Sequence, residues 1–249
     1  MRILTKQNCL PITDPNYLYP DSPNPYFEKV KKYKNKIFVN NECEKNKGQW
    51  RSLFPSHSQH NNPQLHLEIG CNGGHVILEW AKKNPNNFYI GLDWKFKQIF
   101  RAQEKAIKHK INNIVFIRAH AERIQYMFNP GELDSINVFF PDPWEKKSQQ
   151  KNRYLHKNWM NEIQPLLKPE GDFNLRTDHR GYFDFIEDNF NQHQNNLKTK
   201  WDVLELTKNL YENHPEPEKL EIPQVTLFEK LFIRDQIPIN SLKLKKPKE

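Results

Sequence analysis

Short apolar runs alternate with stretches of helical periodicity through most of this chain, and that alternation limits the folds open to it. The strand-like runs cover residues 64–70, 87–94, 113–119, 133–140, 171–178, 200–206 and 226–236. The helix-like stretches cover residues 74–84, 96–107, 155–168 and 180–192. This pattern predicts an α/β fold with a doubly wound, mainly parallel sheet of seven strands, which binds ligands beyond the carboxyl ends of the strands.

The first 62 residues differ in composition from the rest of the chain. They are rich in proline, asparagine, lysine and tyrosine and show little periodicity. They are therefore predicted to form an N-terminal extension that is irregular or partly disordered, ahead of a main domain at 63–249. The lysines between Lys29 and Lys36 either meet phosphates or belong to a solvated arm, and the sequence leaves both readings open.

Charge and cysteine content restrict the partners and the compartment. The 38 Lys and Arg residues exceed the 30 Asp and Glu residues, which gives a net charge of +8 and favours a polyanionic partner. The three cysteines, Cys9, Cys43 and Cys71, have no zinc-ligand spacing, so no metal and a reducing compartment are expected. No apolar stretch reaches the roughly 18 residues that span a bilayer, and a cytoplasmic monomer is expected.

The stretch LEIGCNGGH, where the first strand of the main domain turns into a helix, indicates a ligand-binding loop. Glycines at such a turn let the backbone approach a ligand, and the following helix offers free N–H groups. Asp93 ends the next strand 23 residues after Gly70, a spacing at which a carboxylate accepts hydrogen bonds from ribose hydroxyls. Together these residues predict a cofactor that contains a nucleoside.

Two cofactor classes compete for this loop. The G-x-G-x-x-G fingerprint of nicotinamide enzymes fails at two positions, Asn72 and His75. The E-x-G-x-G-x-G turn of S-adenosylmethionine-dependent methyltransferases retains Glu68, Gly70 and Gly74, with Asn72 in place of its middle glycine. Asparagine tolerates left-handed backbone, so the turn can form. A plain strand-to-helix turn without a ligand is the remaining alternative.

The run FFPDPW at 139–144 ends the fourth strand of the main domain with an acid between two prolines. By itself Asp142 reads as an Asp-Pro turn former. Methyltransferases that act on base nitrogens often carry an acid or amide, a proline and an aromatic residue here. With EIGCNGG, LRTD and TLFEK in order around it, the chain resembles the tRNA (guanine-N7)-methyltransferase family over about residues 60–240. The resemblance implies a Rossmann-like class I methyltransferase with S-adenosylmethionine as cofactor and tRNA as substrate.

The resemblance also implies roles for individual residues. Asp142 becomes both a cofactor contact and the catalytic residue. The other implied cofactor contacts are Glu68, Gly70 and Asp93, and the implied tRNA contacts are Lys146, Asp178, Thr226 and Glu229. The implied substrate position is guanosine 46 in the variable loop.

Two departures from the family pattern leave alternatives open. His120 stands where the family has an acid that holds the adenine end of the cofactor, and it is expected to keep that cofactor contact because histidine can hydrogen-bond an adenine edge. The basic stretch after FFPDPW is reduced to SQQKNR, which leaves Lys151 and Arg153. The two alternatives are a methyltransferase for another nucleobase nitrogen and a non-catalytic RNA-binding relative.

Overall fold

A computed structural model describes residues 10–54, 62–194, 200–216, 220 and 226–248. Eight strands form one sheet: β1 (Ile37–Val39), β2 (Leu65–Ile69), β3 (Phe88–Asp93), β4 (Ile114–Arg118), β5 (Leu133–Phe139), β6 (Leu167–Thr177), β7 (Asp202–Thr207) and β8 (Asn240–Lys245). The helices are α1 (Pro25–Val30), α2 (His75–Lys83), α3 (Phe96–Lys108), α4 (Ile124–Met127), α5 (Lys157–Ile163), α6 (Arg180–Gln194), α7 (Leu210–Asn213) and α8 (Leu227–Arg234). None of these helices is long and apolar enough to cross a bilayer.

The sheet order is β1-β4-β3-β2-β5-β6-β8-β7. Neighbours from β1 to β6 are parallel, whereas β8 runs antiparallel to both β6 and β7. The chain winds outward from β2 through β3 and β4, then returns to the other side of β2 with β5. This reversal opens a crevice at the carboxyl ends of β2 and β5. The predicted doubly wound α/β fold is confirmed, with eight strands in place of seven.

Alternate side chains of the central strands enter two apolar clusters, one on each face of the sheet. Tyr89 and Phe116 pack on the face that carries α2 and α3. Ile90 and Val115, their neighbours along the same strands, pack on the face that carries α5 and α6. Both faces of the sheet are therefore covered, and its carboxyl edge remains the open side for a ligand.

The prediction of a last strand at 226–236 is wrong, because this segment forms helix α8. Thr226 and Glu229 form a capping box: the Thr226 hydroxyl accepts a hydrogen bond from the Glu229 N–H, and the Glu229 carboxylate accepts one from the Thr226 N–H. A short apolar run does not distinguish a strand from a helix by periodicity alone, and this cap decides for the helix. The antiparallel strand lies later, at β8, where Leu242 and Leu244 pair with Leu175 and Phe173.

Residues 25–53 differ from the irregular structure that the sequence predicts for them. They form α1, β1 and two 3-10 helices, and β1 extends the sheet beside β4. Trp50 is fully buried, and its indole N–H donates to the Met127 carbonyl at 2.8 Å. This part of the extension is therefore built into the core of the main domain. Residues 1–9 and 55–61 of the predicted extension, and most of the exposed loop predicted at 213–223, lie outside the described residues.

Candidate functional site

A cavity of about 430 Å³ lies at the carboxyl edge of the sheet, at the crevice that the strand order creates. The loops after β2, β3, β4 and β5 all contribute to it. Four of the site residues predicted from sequence line this one cavity: Gly70, Asp93, His120 and Asp142. The structure thus brings together residues that are spread over 73 positions of the chain, from 70 to 142.

Asp93 ends β3 and organises the two loops beside it. Its carboxylate accepts one hydrogen bond from the Asn72 N–H at 3.0 Å and another from the Lys95 N–H at 2.7 Å. Burial raises the pKa of Asp93, and the two N–H groups and the charge of Lys95 oppose that rise. The side chain is held rigidly at the cavity wall, with oxygen lone pairs left to accept from a ligand hydroxyl.

The loop after β2 has the backbone that close approach of a ligand requires. Asn72 adopts a φ of 50°, so it takes the left-handed conformation of the glycine that it replaces. Gly70 has a φ of 78°, and a Cβ added there would meet no atom within 4 Å. Such a Cβ would project into open space at the cavity, where a ligand would otherwise contact the bare backbone.

Glu68 does not line the cavity but lies behind this loop. Its side chain is 4% exposed and accepts a hydrogen bond from the Ile77 N–H in the first turn of α2. Its Oε2 is buried without a partner among the described residues. Burial raises the pKa of Glu68 to about 8, so the carboxyl group is protonated at neutral pH.

Glu68→Gln is expected to remove a pH-dependent loss of stability, because glutamine mimics the protonated acid and never ionises. The unfolded chain releases the Glu68 proton at its ordinary pKa of 4.5, whereas the folded protein holds it up to about 8. Wild type should therefore lose melting temperature relative to the variant as pH rises from 4.5 to 8. Melting curves across this range test the prediction, with Glu79→Gln, an exposed acid on α2, as control. A constant difference between wild type and Glu68→Gln would contradict it.

His120 sits between two aromatic rings at one end of the cavity. Tyr19 stacks on the imidazole with centroids 5.5 Å apart and planes 7° from parallel, and the Trp94 centroid is 6.0 Å away. Burial, together with the charges of Arg118 and Arg123, lowers the pKa of His120 to about 4. The imidazole is therefore neutral at physiological pH and can offer a ring nitrogen to a ligand as a hydrogen-bond donor or acceptor.

The N-terminal segment closes this end of the cavity, a feature that the sequence analysis missed. Ile12 lines the cavity. Fully buried Arg123 holds the segment by donating to the carbonyls of Ile12 and Asp14 at 2.6 and 2.8 Å. No periodicity or motif in the first 62 residues signals this contact, because it depends on an arginine more than 100 positions away in the chain.

The FFPDPW run leaves the sheet through an unusual backbone. Phe140 and Trp144 both have positive φ values, 51° and 45°. Non-glycine residues there are strained unless the surrounding structure holds them. The two prolines lie between them and stiffen the loop, and Asp142 is exposed at the cavity. The residues that turn the chain here are thus the same ones that hold Asp142 at the cavity.

The cavity is acidic. Asp93, Glu122 and Asp142 line it, against Lys95 among the described lining residues. The Asp142 charge contributes to the raised pKa of Asp93, which indicates that the two carboxylates share the same local field. A cavity of this polarity favours a cationic ligand. Across the described parts of the chain, no group of three His, Cys, Asp or Glu side chains converges to hold a metal ion.

Lys146 and Asp178 lie outside the cavity lining. Their chain neighbours Glu145 and His179 contact each other, with 3.3 Å between Glu145 Oε1 and His179 Nε2, so the segments that carry Lys146 and Asp178 lie side by side. Lys146 is exposed, and Asp178 is half-buried. The residue that caps α6 is His179, whose Nδ1 accepts from the Tyr182 N–H at 2.9 Å.

Thr226 and Glu229 also lie away from the cavity lining, where they cap α8. Glu229 is fully buried. Its Oε1 accepts from the Tyr211 hydroxyl at 2.6 Å and from the Arg176 guanidinium at 3.2 Å. The helix packs on the FFPDPW loop through Phe232, whose ring centroid is 5.8 Å from that of Phe140. Thr226 and Glu229 therefore stabilise the helix that packs behind this loop.

Comparisons with known proteins show the family of this chain and its fold. Residues 62–238 match the protein family described as "Putative methyltransferase". The tRNA (guanine-N(7)-)-methyltransferase of Bdellovibrio bacteriovorus is 30% identical over 202 residues, which are 81% of this chain and 90% of that protein. The protein of the same description from Enterococcus faecalis is 32% identical over 158 residues, 64% of this chain and 72% of that one. A solved structure of the 16S rRNA methyltransferase KamB shares the fold, with a TM-score of 0.54, 13% identity and coverage of 78% of this chain and 94% of that chain.

Proposed function

Because this chain belongs to the tRNA (guanine-N7)-methyltransferase family, we propose that it transfers a methyl group from S-adenosylmethionine to N7 of guanosine 46 in the variable loop of tRNA. The observation that carries the proposal is the cavity at the carboxyl edge, which holds Asp93 and Asp142 together. The reaction belongs in the cytoplasm, where tRNA is matured.

The cavity fits this cofactor in three respects. Gly70 leaves open space where a side chain would block a ligand. Asp93 can accept hydrogen bonds from both ribose hydroxyls, while Trp94 offers a flat surface to adenine and neutral His120 offers a ring nitrogen. The acidic lining suits the positive charges of the sulfonium and the amino group. Glu68 lies outside the cavity lining, and we propose that it contributes to cofactor binding indirectly, by supporting the loop through α2.

The chemistry asks the protein mainly for alignment and electrostatic support. S-adenosylmethionine supplies a methyl group on a sulfonium, and the carbon–sulfur bond breaks as the carbon–N7 bond forms. Guanine N7 has an in-plane lone pair and no proton, so no side chain has to act as a base. The protein must hold the guanine in line and stabilise the positive charge that its ring acquires.

Asp142 is placed to do both. Its carboxylate can accept hydrogen bonds from the guanine N1–H and N2–H groups, which fixes the orientation of the base. Alkylation at N7 makes N1–H more acidic, so this hydrogen bond strengthens as the methyl group transfers. The interaction therefore stabilises the transition state more than the ground state. Trp144 lines the same cavity and can stack on the base.

We propose roles for the residues that the family resemblance implies as tRNA contacts from where each of them lies in the structure. Lys146 lies exposed just beyond the catalytic loop, where a phosphate backbone would pass. Asp178 lies in a segment next to that of Lys146, since their chain neighbours His179 and Glu145 are in contact. For Thr226 and Glu229 we propose an indirect contribution to tRNA binding. Their capping box stabilises α8, which packs against Phe140, and the backbone at the start of α8 can face the RNA.

Lys146→Ala is expected to raise the KM for tRNA about fivefold and to leave kcat nearly unchanged, because the lysine neutralises a phosphate and takes no part in the chemistry. The slope of log KM against log salt concentration should fall by about one unit. The control is Lys83→Ala, an exposed lysine at the opposite end of α2 from the cavity. A changed affinity for S-adenosylmethionine with an unchanged KM for tRNA would overturn this role for Lys146.

Two measurements test the proposed function against its alternatives. Calorimetry with S-adenosylmethionine should detect binding, and no binding at millimolar cofactor would favour a non-catalytic RNA-binding relative. Methyl transfer to a tRNA transcript should disappear when guanosine 46 is replaced by adenosine. Undiminished transfer to the substituted transcript would point to another base or another position.

A further inference from the structure

The segment Asn152–Tyr154 forms one wall of the cavity, and its side chains point alternately to the two sides of that wall. Asn152 and Tyr154 line the cavity. Arg153, between them, points away from it, toward α6 and the loop that carries Asp142. The basic residue that the sequence presents as a surface cation is therefore only 7% exposed.

Arg153 has two kinds of contact on that inner side. Its Nε donates a hydrogen bond to the Pro143 carbonyl at 2.9 Å. Its guanidinium lies over two rings of α6, 4.8 Å from the centroid of Tyr182 and 5.1 Å from that of Phe185. Tyr182 is fully buried. Rings at this distance stabilise a guanidinium electrostatically, so the arginine is fixed between the body of the domain and the catalytic loop.

The hydrogen bond acts on a loop that needs external support. Pro143 is the residue directly after Asp142, and its carbonyl belongs to the peptide that leads into Trp144. Phe140 and Trp144, at the two ends of the loop, both have left-handed backbone, which persists only where neighbouring groups hold it. At the first end the Phe140 N–H donates to the Arg176 carbonyl at 2.8 Å. Arg153 supplies the corresponding hold at the second end.

A phosphate contact is the competing role for Arg153, and its surroundings argue against it. Lys146, Lys147 and Lys151 on the same stretch are all exposed, as residues that meet an RNA backbone must be. The Arg153 guanidinium instead faces rings and a backbone carbonyl inside the domain. A planar, stacked guanidinium with a directed N–H is a role that lysine does not reproduce.

We propose that Arg153 is a positioning residue that fixes the Asp142 loop and the Asn152–Tyr154 wall relative to each other, and that it does not bind RNA. The proposal rests on the proposed function, in which Asp142 aligns the guanine. A shift of about 1 Å in an aligning group can cost roughly 100-fold in rate. Losing Arg153 should therefore appear in turnover and leave the KM for tRNA unchanged.

Steady-state kinetics of Arg153→Lys and Arg153→Ala separate the two roles. Positioning predicts that kcat falls roughly 10-fold in the lysine variant and roughly 100-fold in the alanine variant, with the KM for tRNA and its salt dependence within about twofold of wild type. Guanidinium ion added at low concentration should restore part of the turnover of Arg153→Ala. A phosphate contact predicts the opposite: near-normal kcat for Arg153→Lys and a raised KM for Arg153→Ala.

Further variants distinguish a loss of positioning from a loss of folding. Phe185→Leu removes one stacked ring and leaves the charge of Arg153, and it should lower kcat about threefold with an unchanged KM. Lys151→Ala, the exposed neighbour, should change only the KM for tRNA. Melting temperature and cofactor affinity establish that each variant is folded. If wild type transfers no methyl group, the proposed function fails; if wild type is active and both Arg153→Lys and Phe185→Leu keep full kcat, the positioning role is overturned.

Discussion

Replacing Asp142 by alanine is expected to lower kcat for methyl transfer by roughly 100- to 1000-fold, the range seen when one electrostatic contact to a transition state is removed. Asp142 is the acid of the rigid loop at the cavity, and the product guanine is cationic. Its carboxylate both orients the base and opposes the developing charge. Single-turnover rates with saturating tRNA and cofactor measure the effect on the chemical step.

The loss should come from the missing carboxylate and not from misfolding. Asp142 is exposed, so its replacement should leave the melting temperature within about 1 °C of wild type. Asp142→Asn keeps the shape and removes the charge, and it should fall between wild type and alanine. The matched control is Asp202→Ala, an exposed acid on β7. A single-turnover rate within threefold of wild type in Asp142→Ala would refute the catalytic role.

Replacing Asp93 by alanine is expected to weaken the binding of S-adenosylmethionine about 100-fold. The carboxylate is proposed to accept hydrogen bonds from the ribose, and such bonds to a charged group contribute about 1.5–3 kcal/mol. It also holds the Asn72 and Lys95 N–H groups, so its loss frees the loop that contacts the ligand. Calorimetry on the purified variant measures the change in dissociation constant.

A comparison of variants tells cofactor binding apart from general damage at Asp93. Asp188→Ala removes an exposed acid from α6 and should leave cofactor affinity unchanged. The KM of Asp93→Ala for tRNA, measured at saturating cofactor, should stay near the wild-type value. An unchanged dissociation constant for S-adenosylmethionine in Asp93→Ala would contradict the assignment.

Much of the fold can be predicted from the sequence, because the strands and helices of the parallel core have clear local patterns of apolar residues. The strands from β2 to β6 and the helices α2, α3 and α6 were all predicted close to their observed positions. Each is a continuous apolar run or a clear helical face, and glycine or asparagine marks several of the ends: Gly70 follows β2, and Gly74 and Asn84 flank α2. Helix α8 was mistaken for a strand because its evidence is a four-residue cap, and β8 was missed because its alternation spans only six residues.

Some residues of the candidate site could also be predicted from the sequence, and others could not. Gly70, Asp93, His120 and Asp142 lie at or just after strand ends, so topology alone places them at one edge of the sheet. Ile12, Trp94 and Tyr154 were missed, and the buried position of Arg153 could not be foreseen. Their roles depend on which way a side chain points from an irregular segment, and no periodicity encodes that direction.

The chemical identity of the product shows whether this chain methylates N7 of guanosine in tRNA. Purified protein is incubated with an unmodified tRNA transcript and S-adenosylmethionine. The nucleosides released by complete digestion are then separated by chromatography and identified by retention time and mass spectrometry. We expect 7-methylguanosine with wild type and almost none with Asp142→Ala. A different methylated nucleoside, or no methylated nucleoside from protein that binds both the cofactor and tRNA, would contradict this expectation.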